Sequence, residues 1–324
     1  MKRIITVTPN PAVDSATSID QVVIERKLRC SAPVRYPGGG GLNVTRAIKE
    51  LGGASCAIWT RGGPLGELLE SLLEEAAVEH VAVAIERQTR ENVLVFDKSA
   101  EGFYRFGMPG PELSAEECRR LVDALRDAER PPDYVVASGS LPDGEARDVY
   151  VDLARVCHER GWRLVLDTHS RELQRVLGVA PVYLIKPNYR EFLELAGADD
   201  LEDDQIVSEA RRLVDDGSVE VVVVSLGPAG ALLVDAHRHE HVPAPTVPVV
   251  SRIGAGDSMV AGVVLQLARD ADLLDAVRFG IASSAAAVMT PGTELCRRED
   301  AERLYRSMVE AAGGARSPGG EHSP

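Results

Sequence analysis

A chain of 324 residues with a formal net charge of −14 at pH 7 disfavours nucleic acid as a partner, and any anionic substrate must be met by local basic groups against the overall field. Five cysteines, Cys30, Cys56, Cys118, Cys157 and Cys296, are odd in number and never in C-x-x-C spacing, which argues against a disulfide framework or a zinc site and fits a reducing cytosol. The N-terminus enters a strand at once and no apolar run reaches membrane-spanning length, so the expected location is cytoplasmic.

RIITVT opens the chain as a buried strand. Residues 14–35 carry strand-like stretches such as DSATSIDQVVI but no helical period. YPGGGGLNVTRAIKELGG then runs four glycines into a helix from about Leu42 to Leu51. The G-x-G-x-x-G fingerprint fails here, because its last position falls on Asn43 or Val44, and no Walker loop occurs anywhere. What remains is a set of backbone N–H groups at a helix N-terminus, suited to an anion or polar ligand and equally to a tight strand-to-helix turn. CAIWT and a helix near 65–76 follow. Residues 88–107 again lack a helix and hold ENVLVFD and GFYRF, which together with 14–35 predict a small β appendage placed to cover a ligand. Lys27, Arg90 and Arg105 lie on it, and arginine forks suit a phosphate already on the substrate.

DYVVASG, RLVLD, VYLIKPN and VEVVVVSLG are compact apolar runs separated by helical patterns, the signature of a mostly parallel sheet covered on both faces by helices in one α/β domain. In IKPNYREF, Asn188 and Glu191 are three apart at a helix start. They suit a capping box and, at the same time, water around a divalent cation, with Lys186 facing a phosphate. SLGPAG, from Ser225 through Gly227 to Gly230, reads as a nucleotide-lining loop or a plain turn. HRHEH reads as a polar hairpin tip rather than a metal cluster. SRIGAGDSMVAGVVLQLA is sharper. The N–H groups of Ala255, Gly256 and Asp257 suit a phosphoryl oxygen, and the Asp257 carboxylate suits a base. GGARSPGGEHSP at the end has the composition of a disordered tail, giving a domain of 1–312 and a tail of 313–324.

In series, TPNPAVD, the glycine run with LNVTRAI, SGSLPDG, KPNYRE, SLGPAG and GAGDSMVAG resemble the phosphofructokinase-B branch of the ribokinase-like sugar kinases over roughly residues 1–310. The resemblance implies a ribokinase-like α/β fold with a β-sheet lid, ATP and Mg²⁺ as cofactors, a phosphorylated hexose as substrate and a homodimer formed through the lid. It implies Asp257 as base with Gly254, Ala255 and Gly256 as anion hole. Asp14, Gly39 and Asn43 become sugar contacts; Lys27, Arg90, Arg105 and Ser140 hold the substrate's phosphate. Lys186, Asn188, Glu191, Ser225, Gly227 and Gly230 serve ATP, with Asn188 and Glu191 holding Mg²⁺ through water.

GGGG where 1-phosphofructokinases and tagatose-6-phosphate kinases usually carry G-G-K-G, with KLRCSAPV, RFGMPG and VRFG, makes the chain most similar to the members that phosphorylate fructose 6-phosphate at its 1-hydroxyl. Tagatose 6-phosphate or fructose 1-phosphate as substrate, and a non-catalytic phosphosugar and nucleotide sensor, are the alternatives. Three departures from the family pattern stand out. Arg252 replaces a small residue or threonine before the GAGD turn, His169 follows Asp167-Thr168, and Thr290 and Glu294 stand in the segment that pairs with the loop near Ser251, where the family often holds K⁺.

Overall fold

A computed structural model describes residues 1–314. The chain begins β1 (Ile4–Thr8), β2 (Ala12–Ile19), β3 (Val34–Gly38), α1 (Gly40–Glu50), β4 (Cys56–Arg61), α2 (Gly63–Glu75) and β5 (Glu79–Ala84). It continues through β6 (Arg90–Asp97), β7 (Gly102–Phe106), α3 (Ala115–Arg126), β8 (Tyr134–Ser138), α4 (Val149–Arg160), β9 (Arg163–Asp167), α5 (Ser170–Leu177) and β10 (Val182–Ile185). The last part holds α6 (Tyr189–Ala196), α7 (Asp203–Asp215), β11 (Val219–Ser225), β12 (Ala231–Asp235), β13 (His239–Val242), α8 (Ala255–Ala268), α9 (Leu273–Val288) and α10 (Arg298–Gly314).

Nine strands form the main sheet in the order β13-β12-β11-β10-β9-β8-β1-β4-β5. All neighbours from β11 to β5 are parallel, and β12 and β13 close one edge as antiparallel strands. The chain winds outward from β1 through β4 to β5 and in the other direction from β8 to β11, so the order reverses between β1 and β8. In an open parallel sheet that reversal leaves a crevice at the carboxyl ends of the two strands. The start of α1 fills it: a Cβ on Gly41 would lie 2.5 Å from Thr8 Oγ1, and one on Gly40 would lie 2.4 Å from Ser138 Oγ.

Alternate residues of each central strand feed opposite cores, as a period of two requires. Ile5, Val7, Val135, Ala137, Leu164 and Leu166 pack towards α3, α4 and α5; Ile4, Val136, Val165 and Leu184 pack towards α1, α8 and α9. Helix α8 is apolar around nearly its whole circumference, because the sheet covers one side and α9 the other. The α8–α9 contact is close enough to need glycine. A Cβ on Gly262 would meet Ser283 Oγ at 2.6 Å and Gly280 Cα at 2.9 Å.

A second sheet of four strands, β3-β2-β6-β7, stands apart from the first and accounts for the two helix-free regions. Its strands differ in detail from the sequence reading. QVVI at 21–24 is not a strand, and Ile24 is 87% exposed; β3 instead runs into the glycine stretch at Gly38. The edge strand β5, EHVAVA, was not distinguished by periodicity because it follows α2 with one face half exposed. Of HRHEH, His237 and Arg238 form the hairpin tip, where Asp235 Oδ1 accepts from their backbone N–H groups, and His239 to His241 belong to β13. Gly313 and Gly314, expected in the tail, end helix α10 instead, and residues 315–324 lie outside those described. No helix among the described residues is long and apolar enough to cross a membrane.

Replacing Gly262 by Val forces side-chain atoms into the α8–α9 contact, so a loss of about 1–3 kcal/mol in unfolding free energy is expected, read as a lower urea midpoint. An unchanged midpoint would refute the claim that this glycine sets the helix spacing.

Candidate active site

Gly254, whose φ of +74° is left-handed, precedes helix α8 as its N-cap, and no side chain among the described residues caps the helix. Its first N–H groups are therefore free donors, and Ala255 and Gly256 present them to a cavity. Asp257 follows in the same turn. Its Oδ2 accepts a hydrogen bond of 2.9 Å from Asn43 Nδ2 on α1. Burial pushes the Asp257 carboxyl from 3.8 up to about 7, and the Asp167 carboxylate adds to this, against the Asn43 hydrogen bond, Lys186 and Arg105. A carboxylate poised there is matched to taking a proton near neutral pH.

On one side of Asp257 lies a basic cluster. Asp14 on β2 stands opposite Asn92 on β6, Arg90 opposite Ala12, and Arg105 on β7 opposite Leu94, so Asp14, Arg90, Asn92 and Arg105 share one face of the second sheet. Asn92 Nδ2 donates to Asp14 Oδ1 at 2.8 Å. Burial raises the Asp14 pKa, opposed by that hydrogen bond and by Arg105, Arg90 and Arg46. Arg46 on α1 donates to Pro37 O at 2.8 Å and to Asn43 Oδ1 at 3.3 Å, which links this cluster to Asp257. Arg90 donates to Asn10 O at 3.0 Å, and Asn10 Nδ2 donates to Ser140 Oγ at 3.2 Å. Asn10 Oδ1 and Arg90 Nε are buried without a hydrogen-bond partner among the described residues, a costly state unless a ligand uses them.

On the other side of α8 lies a cavity of about 450 Å³, lined by Lys186, Asn188, Ser225, Gly227, Gly230, Arg252, Ala255 and Gly256 among others. Its apolar wall comes from Val247, Met259, Ile281 and Ala285. Lys186, at the end of β10, is buried and pairs with Asp167 at 3.1 Å. Burial works against the charged ammonium, but the Asp167 carboxylate outweighs it and holds the Lys186 pKa above its ordinary value. Asn188 and Glu191 form a capping box on α6: Asn188 Oδ1 accepts from Glu191 N, and Glu191 Oε2 accepts from Asn188 N, both at 2.9 Å. Glu191 Oε1 lies 3.6 Å from Nδ1 of the exposed His169, and this partner raises the His169 pKa.

The structure thus gathers Asp257, Gly254, Ala255, Gly256, Asn43, Asp14, Arg90, Arg105 and Ser140 with Lys186, Asn188, Glu191, Ser225, Gly227 and Gly230 around the N-terminus of α8. Lys27 is exposed in the irregular segment between β2 and β3. The glycine run also answers to the protein's own packing. A Cβ on Gly38 would lie 2.4 Å from the Asp14 carboxylate, and Gly39 has a φ of +113°, which glycine adopts without strain. Asn10, Arg46, Asn92 and Asp167 were missed. Asn10 sits within TPNPAVD and Asp167 ends a parallel strand, which were usable signals; Arg46 and Asn92 carried none.

Among the described residues no group of three or more His, Cys, Asp or Glu gathers at metal-binding distance. A Mg²⁺ here would share few protein ligands and rely on phosphate oxygens and water, which suits the oxygen donors of Asn188 and Glu191.

Comparison with known proteins agrees with this geometry. Residues 7–300 match the family described as pfkB family carbohydrate kinase. The ATP-dependent 6-phosphofructokinase isozyme 2 of Mycobacterium tuberculosis is 42% identical over 308 residues, covering 95% of this chain and 90% of the relative. The crystal structure of phosphofructokinase-2 from Escherichia coli in complex with potassium superposes with a TM-score of 0.92 at 40% identity, covering 95% of this chain and 100% of that one. An Arabidopsis thaliana ribokinase complexed with ribose and ATP shares the fold, with a TM-score of 0.75 at 18% identity over 94% of this chain and 99% of that one. With a ribokinase-like α/β fold and a match along nearly its whole length, the chain belongs to the pfkB family of carbohydrate kinases.

Proposed function

We propose that this chain is a 6-phosphofructokinase, transferring the γ-phosphoryl group of ATP to the 1-hydroxyl of fructose 6-phosphate. The observation that carries the reading is Asp257, a carboxylate with a pKa of about 7 held by Asn43 between an arginine cluster and a cavity with an apolar wall. Relatives with that activity in their names at 40–42% identity support the substrate.

In this reading Asp257 takes the proton of the sugar hydroxyl as its oxygen forms a bond to the γ-phosphorus; the bond from that phosphorus to the β-phosphate oxygen breaks and ADP leaves. The N–H groups of Ala255 and Gly256 hold the transferring oxygens, and Gly254 shapes the turn that frees them. Lys186, fixed by Asp167, meets the phosphates. Ser225, Gly227 and Gly230 line the nucleotide's path. Asn188 and Glu191 would hold Mg²⁺ through water, and the ion would offset negative charge on the phosphate oxygens. Asp14, Gly39 and Asn43 orient the sugar, and Arg90 and Arg105 with Ser140 take its 6-phosphate. A K⁺ site near Ser251 is part of the proposal, supported by the potassium complex of the Escherichia coli relative. Here Ser251 Oγ donates to Gly292 O and Thr290 Oγ1 to Glu294 O, which fixes the carbonyls of that segment. The exposed Phe103, Tyr104 and Phe106 on the second sheet suit a homodimer through that sheet, and the solved relatives include a tetrameric form.

Asp257→Asn is expected to lower kcat by about 10²–10⁴-fold. The same variant should unfold no more easily at pH 8, because the raised folded pKa means that ionising this carboxyl costs stability as pH rises through about 7. A near-normal rate would remove Asp257 from the mechanism. In the wild type, kcat/KM should fall tenfold per pH unit below about pH 7 as the base protonates; a flat profile down to pH 5 contradicts the assignment. Turnover measured side by side should favour fructose 6-phosphate over unphosphorylated fructose by roughly a hundredfold in kcat/KM, since charge-assisted contacts to the phosphate are lost. A preference for tagatose 6-phosphate or fructose 1-phosphate would redraw the pocket.

A further inference from the structure

The cavity beside α8 has an uneven charge. The residues lining it include no carboxylate and two cations, Lys186 and Arg252. Lys186 is matched by Asp167 at 3.1 Å, so that pair presents little net charge to the cavity. Arg252 is exposed and has no carboxylate within 4.0 Å among the described residues. It therefore supplies the uncompensated positive charge of the cavity, in a molecule whose net charge of −14 repels anions at long range.

Its position narrows what it meets. Arg252 lines the same space as Val249, Thr246 and Met259, whereas Asp257 and Asn43, where the reaction is placed, do not line it. Two residues separate Arg252 from Ala255 in sequence, and both line the cavity together with Gly256. A guanidinium with five donors and no competing carboxylate is suited to phosphate oxygens rather than to a neutral base or ribose.

We infer that Arg252 is a nucleotide-affinity determinant that binds the phosphates retained in ADP, the α and β groups, and not the one transferred. The inference rests on the kinase reading for its ligand, and binding measurements on the resting protein separate the two. By titration calorimetry with Mg²⁺, Arg252→Gln should weaken ADP binding about tenfold while leaving adenosine binding unchanged, and Arg252→Lys should recover part of the loss. In steady-state assays the loss should appear mostly in KM for ATP, and the rise of KM with added salt should be shallower than in the wild type. Equal weakening for adenosine and ADP would overturn the inference in favour of stacking on the base, and unchanged ADP affinity would overturn it outright. A wild type that binds ADP but phosphorylates no sugar would sink the kinase reading, while the ADP-to-adenosine comparison would still decide the role of Arg252. Wild-type protein that binds neither would overturn both.

Discussion

One hydrogen bond, from Asn43 to Asp257, joins residues 214 apart in sequence and sets the arrangement of everything around it. It can form only if the N-termini of α1 and α8 meet at the same end of the sheet. Val44, Ala47 and Ile48 of α1 and Val260, Val264 and Leu265 of α8 lie in one core that enforces this. The cost of holding a carboxylate there is visible in its raised pKa, which burial imposes and the surrounding cations only partly relieve. The packed helices supply the rigidity and Asp257 carries the strain, the division expected when a fold positions chemistry.

The same side chains often serve structure and site together. Asn188 and Glu191 cap α6 reciprocally, and the cap holds Asn188 in the cavity wall. Asp167 anchors Lys186 and also raises the pKa of Asp257. Gly38 leaves room for the Asp14 carboxylate, so part of the glycine run is a packing requirement of a site residue. In an acidic protein such sharing matters, because Asp and Glu outnumber Lys and Arg by 50 to 36.

Much of this was legible beforehand. The buried strands of a parallel sheet are long apolar runs, and the GAGD turn and KPNYRE announce helix starts with polar groups aimed at strand ends. The edge strand β5 and the true bounds of β2 and β3 were not legible, because short strands follow their neighbours more than their own pattern. Arg46 and Asn92 were hidden for another reason: each is an ordinary polar residue whose partner comes from another element, Pro37 on β3 for Arg46 and Asp14 on β2 for Asn92.

The pairing of β2 with β6 carries one more consequence. Asp14, Arg90, Asn92 and Arg105 point the same way only because residue 14 lies opposite 92 and residue 94 opposite 105. Inserting or deleting one residue within these strands would turn part of the basic cluster to the other surface, whereas the segment 20–33 and the turn 98–101 can change length without moving it. The second sheet therefore divides into a part whose length is fixed by chemistry and connections whose length is free to vary.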